Sequence, residues 1–238
     1  MNLSRCSFKL DRISDFQVAG ISLSGKTKLG FADAAKAVTA FTTGKLPATF
    51  TLFVAASNRP KARPPIAARS RGVLCRELLR CTSSRQALDQ AQEELSTGKY
   101  DGVNFLIADQ ESAWAVHGGD DVNAVELEQG LSIIGNGDVN DPRDHRVQLA
   151  YRLLTLQTLD SPVKFLAVAS KVFARSPSLP GRPTMIVRGR DWGTVSSTLI
   201  SLGKKPRDAI YQYAGGPPDR TRYEDYSPLL RDILSRGL

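Results

Sequence analysis

The sequence predicts an α+β fold in which antiparallel sheets are covered by helices. The main observation is the order of elements: a strand, two helices, several strands, two helices, then three strands and a last helix. Runs of strands alternating with pairs of helices favour sheets with helices packed on them over a parallel βαβ sheet. A second observation is the short Asp109-Gln110-Glu111 link between two apolar runs, which is hairpin-like and makes its strands antiparallel. A third is the size and balance of the chain. Its 238 residues, 41% hydrophobic and 24% charged, are enough to bury a sizeable core. No apolar run approaches the roughly 18 residues that a membrane span requires.

Residues 1–29 show no clean period. The Ala-rich stretch 31–41 (FADAAKAVTAF) predicts a short helix, which Gly44 and Pro47 terminate. Residues 49–56 (TFTLFVAA) predict a buried strand, and the three prolines between Asn58 and Pro65 a loop. Ser70 is placed to cap a helix running to about Cys81, with Val73, Leu74 and Leu78 on one face. A second helix starts near Ser84, carries Leu88, Ala91 and Leu95, and ends at Gly98. Strands are expected at 103–108, 112–117 and 131–135, followed by a turn at Asn136-Gly137-Asp138. Helices are expected at 144–156, with Val147, Tyr151 and Leu154 on one side, and from Ser161-Pro162 onward. Residues 184–189 and 194–202 predict a hairpin, 209–214 a third strand ended by Gly215-Gly216-Pro217-Pro218, and Ser227-Pro228 the start of a final helix.

The net charge of +8 is unevenly spread. Residues 51–85 carry eight basic and one acidic side chain, whereas 86–170 carry five and fourteen. No aromatic residue lies between Arg59 and Arg85, so this basic run reads as a solvated or anion-facing surface and not as a nucleic-acid module. The N-terminus has no apolar segment after Arg5, Lys9 and Arg12, which argues against a secretory signal. Asp11 and Asp15 argue against a mitochondrial leader, and the expected location is cytoplasmic. The three cysteines, Cys6, Cys75 and Cys81, are an odd number and match no zinc spacing.

Motifs that carry chemistry are few. Gly20 to Thr27 (GISLSGKT) formally matches a phosphate loop, but no firm strand precedes it and Lys28-Leu29-Gly30 breaks the helix that should follow, so it reads as a chance match. His117 and His145 are present, but no serine sits in a nucleophile elbow. Asp120, Asp121, Glu126 and Glu128 read as a solvated surface, and no metal or cofactor is called for.

Several stretches resemble one family, the Asn-Arg-Asp-Glu (NRDE) family, also called transport and Golgi organisation protein 2-like. Ser70-Arg71-Gly72-Val73-Leu74 is similar to its Ser-Arg-Gly helix. Tyr100-Asp101-Gly102-Val103-Asn104-Phe105-Leu106 resembles its Tyr-x-Gly-Phe-Asn-Leu-Leu strand. Gly130-Leu131-Ser132 with Gly135-Asn136-Gly137 resembles its Gly-Leu-Ser-Asn segment, and Asp191 to Thr198 (DWGTVSST) its late strand. Phe53 to Asn58 (FVAASN) matches the Thr-Asn segment ahead of Ser-Arg-Gly, and Asn58-Arg59-Pro60 is the nearest echo of the signature itself. The resemblance covers about residues 50–238. It implies a fold similar to the N-terminal nucleophile hydrolases, two antiparallel sheets sandwiched between helices (αββα), with Asn136, Asn104 and Arg71 lining the cleft. Relatives in that superfamily cleave amides or transfer acyl groups, and handling of haem, lipid or acyl-coenzyme A has been proposed for the family.

The departure lies at the amino end. The family begins Met-Cys, so that loss of Met exposes a thiolate nucleophile beside a free α-amine base. Here residue 2 is Asn2, and Cys6 would act only after cleavage behind Arg5. The resemblance therefore implies a domain at 49–238 preceded by a divergent or mis-translated segment at 1–48. The abrupt change of composition favours a truncated or frame-shifted reading of the gene over true divergence. On this basis amidase or acyltransferase activity is expected to be absent. The alternative is a non-enzymatic binding or trafficking protein for an amphipathic ligand such as haem or acyl-coenzyme A, using Arg59–Arg76. No nucleic-acid partner is expected.

Overall fold

The computed structural model describes residues 52–176, 184–190, 192–203 and 205–236, together with the backbone of the strands at 16–25 and 38–43. It is a mixed α+β structure with two antiparallel sheets and five helices among the described residues.

The smaller sheet is a meander of four strands, β3 (Phe53–Asn58), β4 (Val103–Ala108), β5 (Ala113–Gly118) and β6 (Val122–Glu126), paired in that order. The larger contains β1 (Phe16–Gly25), β2 (Val38–Thr43), β7 (Gly130–Ile134), β8 (Trp192–Leu202), β9 (Ile210–Ala214) and β10 (Glu224–Asp225), in the order β10-β9-β8-β1-β2-β7. β1 and β2, from the segment before residue 49, thus lie inside the same sheet as β7 to β10.

Alternation along each strand sorts side chains into three apolar layers. On β4, Val103, Phe105 and Ile107 face α1 (Arg71–Leu78) and α2 (Ser84–Ser96), and join Leu74, Leu78, Leu88 and Leu95. The intervening Leu106 and Ala108 face the other sheet and meet Ile134, Leu202 and Ala209. Ile133 and Leu199 then face outward again, against α3 (His145–Thr155) and α4 (Pro162–Phe173), where Phe165 and Phe173 are fully buried. Each such aromatic or aliphatic side chain removed from water contributes about 1.5–3 kcal/mol before entropy is counted. A last helix, α5 (Ser227–Ser235), packs Leu230 and Leu234 at the margin of the middle layer.

The helix starts follow the expected chemistry. Ser70, Ser83, Asp144 and Ser161 each accept from backbone N–H groups of the first turn. Gly98 takes φ +70° just after α2, a left-handed conformation that glycine adopts without steric cost.

Several expectations are corrected. Residues 38–41 are strand, not helix: Thr39 to Phe41 pair with both β1 and β7, so ladder pairing overrides the helical preference of the alanines. Residues 31–37, with Gly44 and Pro47, lie outside the described residues. Residues 16–25 form a full strand where no period was legible. The first six positions of the phosphate-loop match, Gly20–Gly25, are part of it, paired with β8 throughout and with β2 as far as Ile21. Backbone N–H groups tied into a ladder cannot cradle phosphate. Lys26 and Thr27 lie outside the described residues. β6 is a strand in a stretch read from the sequence only as a solvated acidic surface. Residues 184–189 make no ladder and contribute only the bridge Arg188 to Gly193. On α1, Val73 is 43% exposed, and only Leu74 and Leu78 of the expected face are buried. On α3 the buried face is Val147, Ala150 and Leu154, with Tyr151 at its edge.

Candidate functional site

At one end of the sandwich the apolar middle layer gives way to polar side chains. The hairpin β4–β5 sets Asn104 directly opposite His117, and β3 brings Ser57 opposite Asn104 from the other side. The turn after β7, residues 135–138, closes over them from the larger sheet.

Asn104 is the centre of this cluster. Its amide nitrogen donates to Gly135 O (3.2 Å) and Gly137 O (2.9 Å). Its Oδ1 accepts from Arg59 Nη1 (3.3 Å) and lies 2.9 Å from His117 Nδ1. Because Oδ1 only accepts, Nδ1 must carry the proton. Both hydrogens and both lone pairs of this buried amide are therefore engaged. Ser57 Oγ donates to Gly135 O as well (3.1 Å), and Asn136 Nδ2 donates to Asn58 O (2.7 Å). The two sheets are thus joined here by polar bonds as well as apolar contact.

Arg59 continues the network outward. Its Nη2 pairs with Asp138 Oδ1 at 2.7 Å, and its side chain is 20% exposed. Its backbone N–H donates to Gly102 O (3.0 Å), the same oxygen that accepts from Arg71 Nη1 (2.8 Å). Arg71 lies 3.9 Å from Asp101 and joins the cluster from the α1 side. The crossing of residue 59 over residue 102 is close. A Cβ on Gly102 would lie 2.0 Å from Arg59 O, so no side chain fits there.

The basic run is therefore less free than the sequence suggests. Besides Arg59 and Arg71, Lys61 donates to Tyr100 O, and Arg69 pairs with Glu94 while lying over the Tyr100 ring. Burial pushes the Tyr100 hydroxyl up to about 12, helped by its bond to Glu94.

His117 is 1% exposed, and its Nε2 is buried with no hydrogen-bond partner. Burial lowers its pKa below the ordinary 6.5. The Arg59 guanidinium lowers it further, and Asp138 acts in the opposite sense. The folded chain therefore binds this proton less readily than the unfolded chain. Stability is full above about pH 6.5 and is lost as pH falls from there toward the folded pKa, where the slope ends. Urea midpoints at pH 7.5 and 5.5 check this. The fall should shrink in His117→Gln. A fall unchanged in His117→Gln would refute it.

The described thiols lie elsewhere. Cys75 Sγ contacts Val54 O at 4.0 Å and Cys81 Sγ contacts Gln90 Oε1 at 3.1 Å, both in the layer between α1, α2 and the smaller sheet. Burial raises both thiol pKa values, which disfavours the reactive thiolate. Cys6 lies outside the described residues. Between the sheets, Ala55, Ser57, Asn104, Leu106 and Ile134 line a cavity of about 10 Å³, the room of about one water. Asp120, placed in an acidic surface from the sequence, accepts from Ala62 N. Among the described residues no three His, Cys, Asp or Glu side chains are grouped to hold a metal. No described helix is long and apolar enough to cross a membrane.

The structure brings Asn104 and Asn136 to the same end of the two sheets and holds Arg71 on Gly102 O, two residues before Asn104. Sequence reasoning missed Ser57, Arg59 and Asp138 as their partners. The His117 pairing depends on the length of the link: the observed hairpin pairs Ala108 with Ala113 and sets 104 opposite 117, whereas the shorter 109–111 link expected from the sequence would set 104 opposite 116.

No family model matches this chain, and no curated protein matches it. Among solved structures it is similar to the crystal structure of a protein from Silicibacter pomeroyi with the family model DUF1028. The identity is 15%, 93% of this chain and 86% of that one are covered, and the TM-score is 0.40.

Proposed function

We propose that this chain is an NRDE-like protein of the αββα, N-terminal nucleophile hydrolase-like kind that works without amide-cleaving or acyl-transfer chemistry. The supporting observation is the state of the inter-sheet end. Asn104, the residue best placed to stabilise a reacting group, has all four hydrogen-bonding positions filled by the protein. An oxyanion site needs donors aimed at empty space, and the cavity beside Asn104 holds about one water. The described thiols are a layer away. The test is turnover of a panel of N-acyl amides and acyl thioesters by the purified chain. No rate above background is expected. A rate that disappears in Cys6→Ala would overturn the proposal.

A second reading, a carrier of an amphipathic anion such as haem or acyl-coenzyme A, is favoured by one surface. Ile66 is fully exposed, Val73 and Leu79 are 43% and 49% exposed, and Arg63, Arg76 and Arg80 are exposed in the same α1 region. Apolar side chains amid cations suit a ligand with an apolar body and an acidic head. Calorimetric titration with haem and with palmitoyl-coenzyme A tests it. Saturable binding weakened at least tenfold by Val73→Glu supports it, and absence of saturable binding removes it.

A further inference from the structure

Apart from the asparagine cluster, and sharing no lining residue with the cavity there, the chain builds a second concave surface where β9 ends. Gly215-Gly216-Pro217-Pro218 stops the strand, and the chain then folds back on itself. Arg220 N and Thr221 N both donate to Pro217 O, at 3.0 and 2.9 Å. Gly216 permits this return, because a Cβ there would lie 2.3 Å from Thr221 Oγ1. Asp219 fastens the loop by accepting from Ser176 Oγ, just beyond α4, and from Arg188. Tyr223 fastens the other side through a 2.7 Å bond between its hydroxyl and Ser197 Oγ on β8. The loop is held in place on both flanks before any ligand arrives.

Between this loop and the end of α4 lies an open cavity of about 500 Å³, lined by Ser170, Lys171, Ala174 and residues 218–223. That is within the usual range for a small-molecule site, roughly 300–1,000 Å³. Its charge is one-sided. Lys171, Arg220 and Arg222 line it, are exposed, and belong to no ion pair among the described residues. The acid on its wall, Asp219, is already neutralised by Arg188. Ser170 O and Val172 O at the end of α4 accept from Ala174 N and Arg175 N. Three cations around one concavity, none of them paired with an anion among the described residues, repel each other, and a multivalent anion relieves that repulsion. Ala174, Pro218 and the Tyr223 ring supply an apolar wall beside them.

We infer that this cavity binds a phosphate-bearing small molecule, with Lys171, Arg220 and Arg222 on the phosphate and the attached group against Ala174, Pro218 and Tyr223. Two guanidiniums and an ammonium match the double charge and several oxygens of a phosphate ester better than a single carboxylate. The inference is independent of whether the chain has N-terminal chemistry.

The test is titration calorimetry of the full chain, at constant ionic strength, with inorganic phosphate, phenyl phosphate and acetate. Phosphate should bind saturably, phenyl phosphate several-fold more tightly, and acetate not measurably. Arg220→Gln/Arg222→Gln and Lys171→Gln should each weaken phenyl phosphate at least tenfold. These side chains are exposed, so unchanged circular dichroism melts will show that the variants are folded. Equal affinity in the variants, or no saturable binding of either phosphate, would overturn the inference. Equal affinity for phosphate and phenyl phosphate would overturn the role of the apolar wall.

Discussion

Gly102→Ala is expected to destabilise the chain by about 3 kcal/mol or more, and is the most damaging single-methyl change in the described structure. The added carbon would lie 2.0 Å from a backbone oxygen, Arg59 O, with Arg59 C at 2.8 Å behind it. Backbone cannot rotate away as a side chain can, and the two segments are tied by the Arg59 N to Gly102 O bond. Relief would require β3 and β4 to part where Arg59 enters the Asn104 cluster. Gly98→Ala is the control. Its φ of +70° makes alanine strained, but nothing lies within 4 Å of the new carbon. About 1 kcal/mol is expected there. Urea unfolding of both variants measures the difference, and equal losses would show that the crossing is not as close as described.

Asn104→Leu is expected to cost about 4 kcal/mol, although leucine is similar in size and more apolar. The loss comes from what is left behind. His117 Nδ1 and Arg59 Nη1 lose their acceptor, Gly137 O loses the donor from this amide, and Gly135 O keeps only Ser57. Each buried group without a partner costs about 1–3 kcal/mol. The sum is not additive, because the network relaxes as a unit. Asn136→Ala should cost only about 1 kcal/mol, since that amide is half-buried and water can replace it. Chemical denaturation with an unchanged m value reads both effects. A leucine variant as stable as the parent would show that the two sheets do not depend on this amide.

Three strands of the smaller sheet and the helices after residue 70 were legible in the sequence because each rule acts there over a few residues. Ser70, Ser83 and Ser161 cap helices in positions where serine has few competing uses. Leu88, Ala91 and Leu95 repeat at helical spacing, and all three are buried. The larger sheet was harder to read, because β1 and β2 pair with strands about 90 to 180 residues away. Val38 to Thr43 shows no alternation of its own, and long-range pairing fixes its conformation. The same distance hid half of the asparagine cluster. Asn104 and Asn136 stood out within motifs, but Arg59 meets Asp138 only through the closure of one sheet over the other. The loop at 217–223 read only as a strand terminator. Its cavity depends on α4, whose position the local sequence does not encode.

The proposed function requires that the inter-sheet end be held shut by its own side chains, with no N-terminal thiol acting there. Intact-mass spectrometry of the purified 238-residue chain, repeated after prolonged incubation at neutral pH, tests this most directly. The expected mass retains residues 2–5 and is unchanged over time, so that Cys6 never becomes the first residue. Time-dependent loss of the segment ending at Arg5, with Cys6 at the new amino terminus, would contradict it.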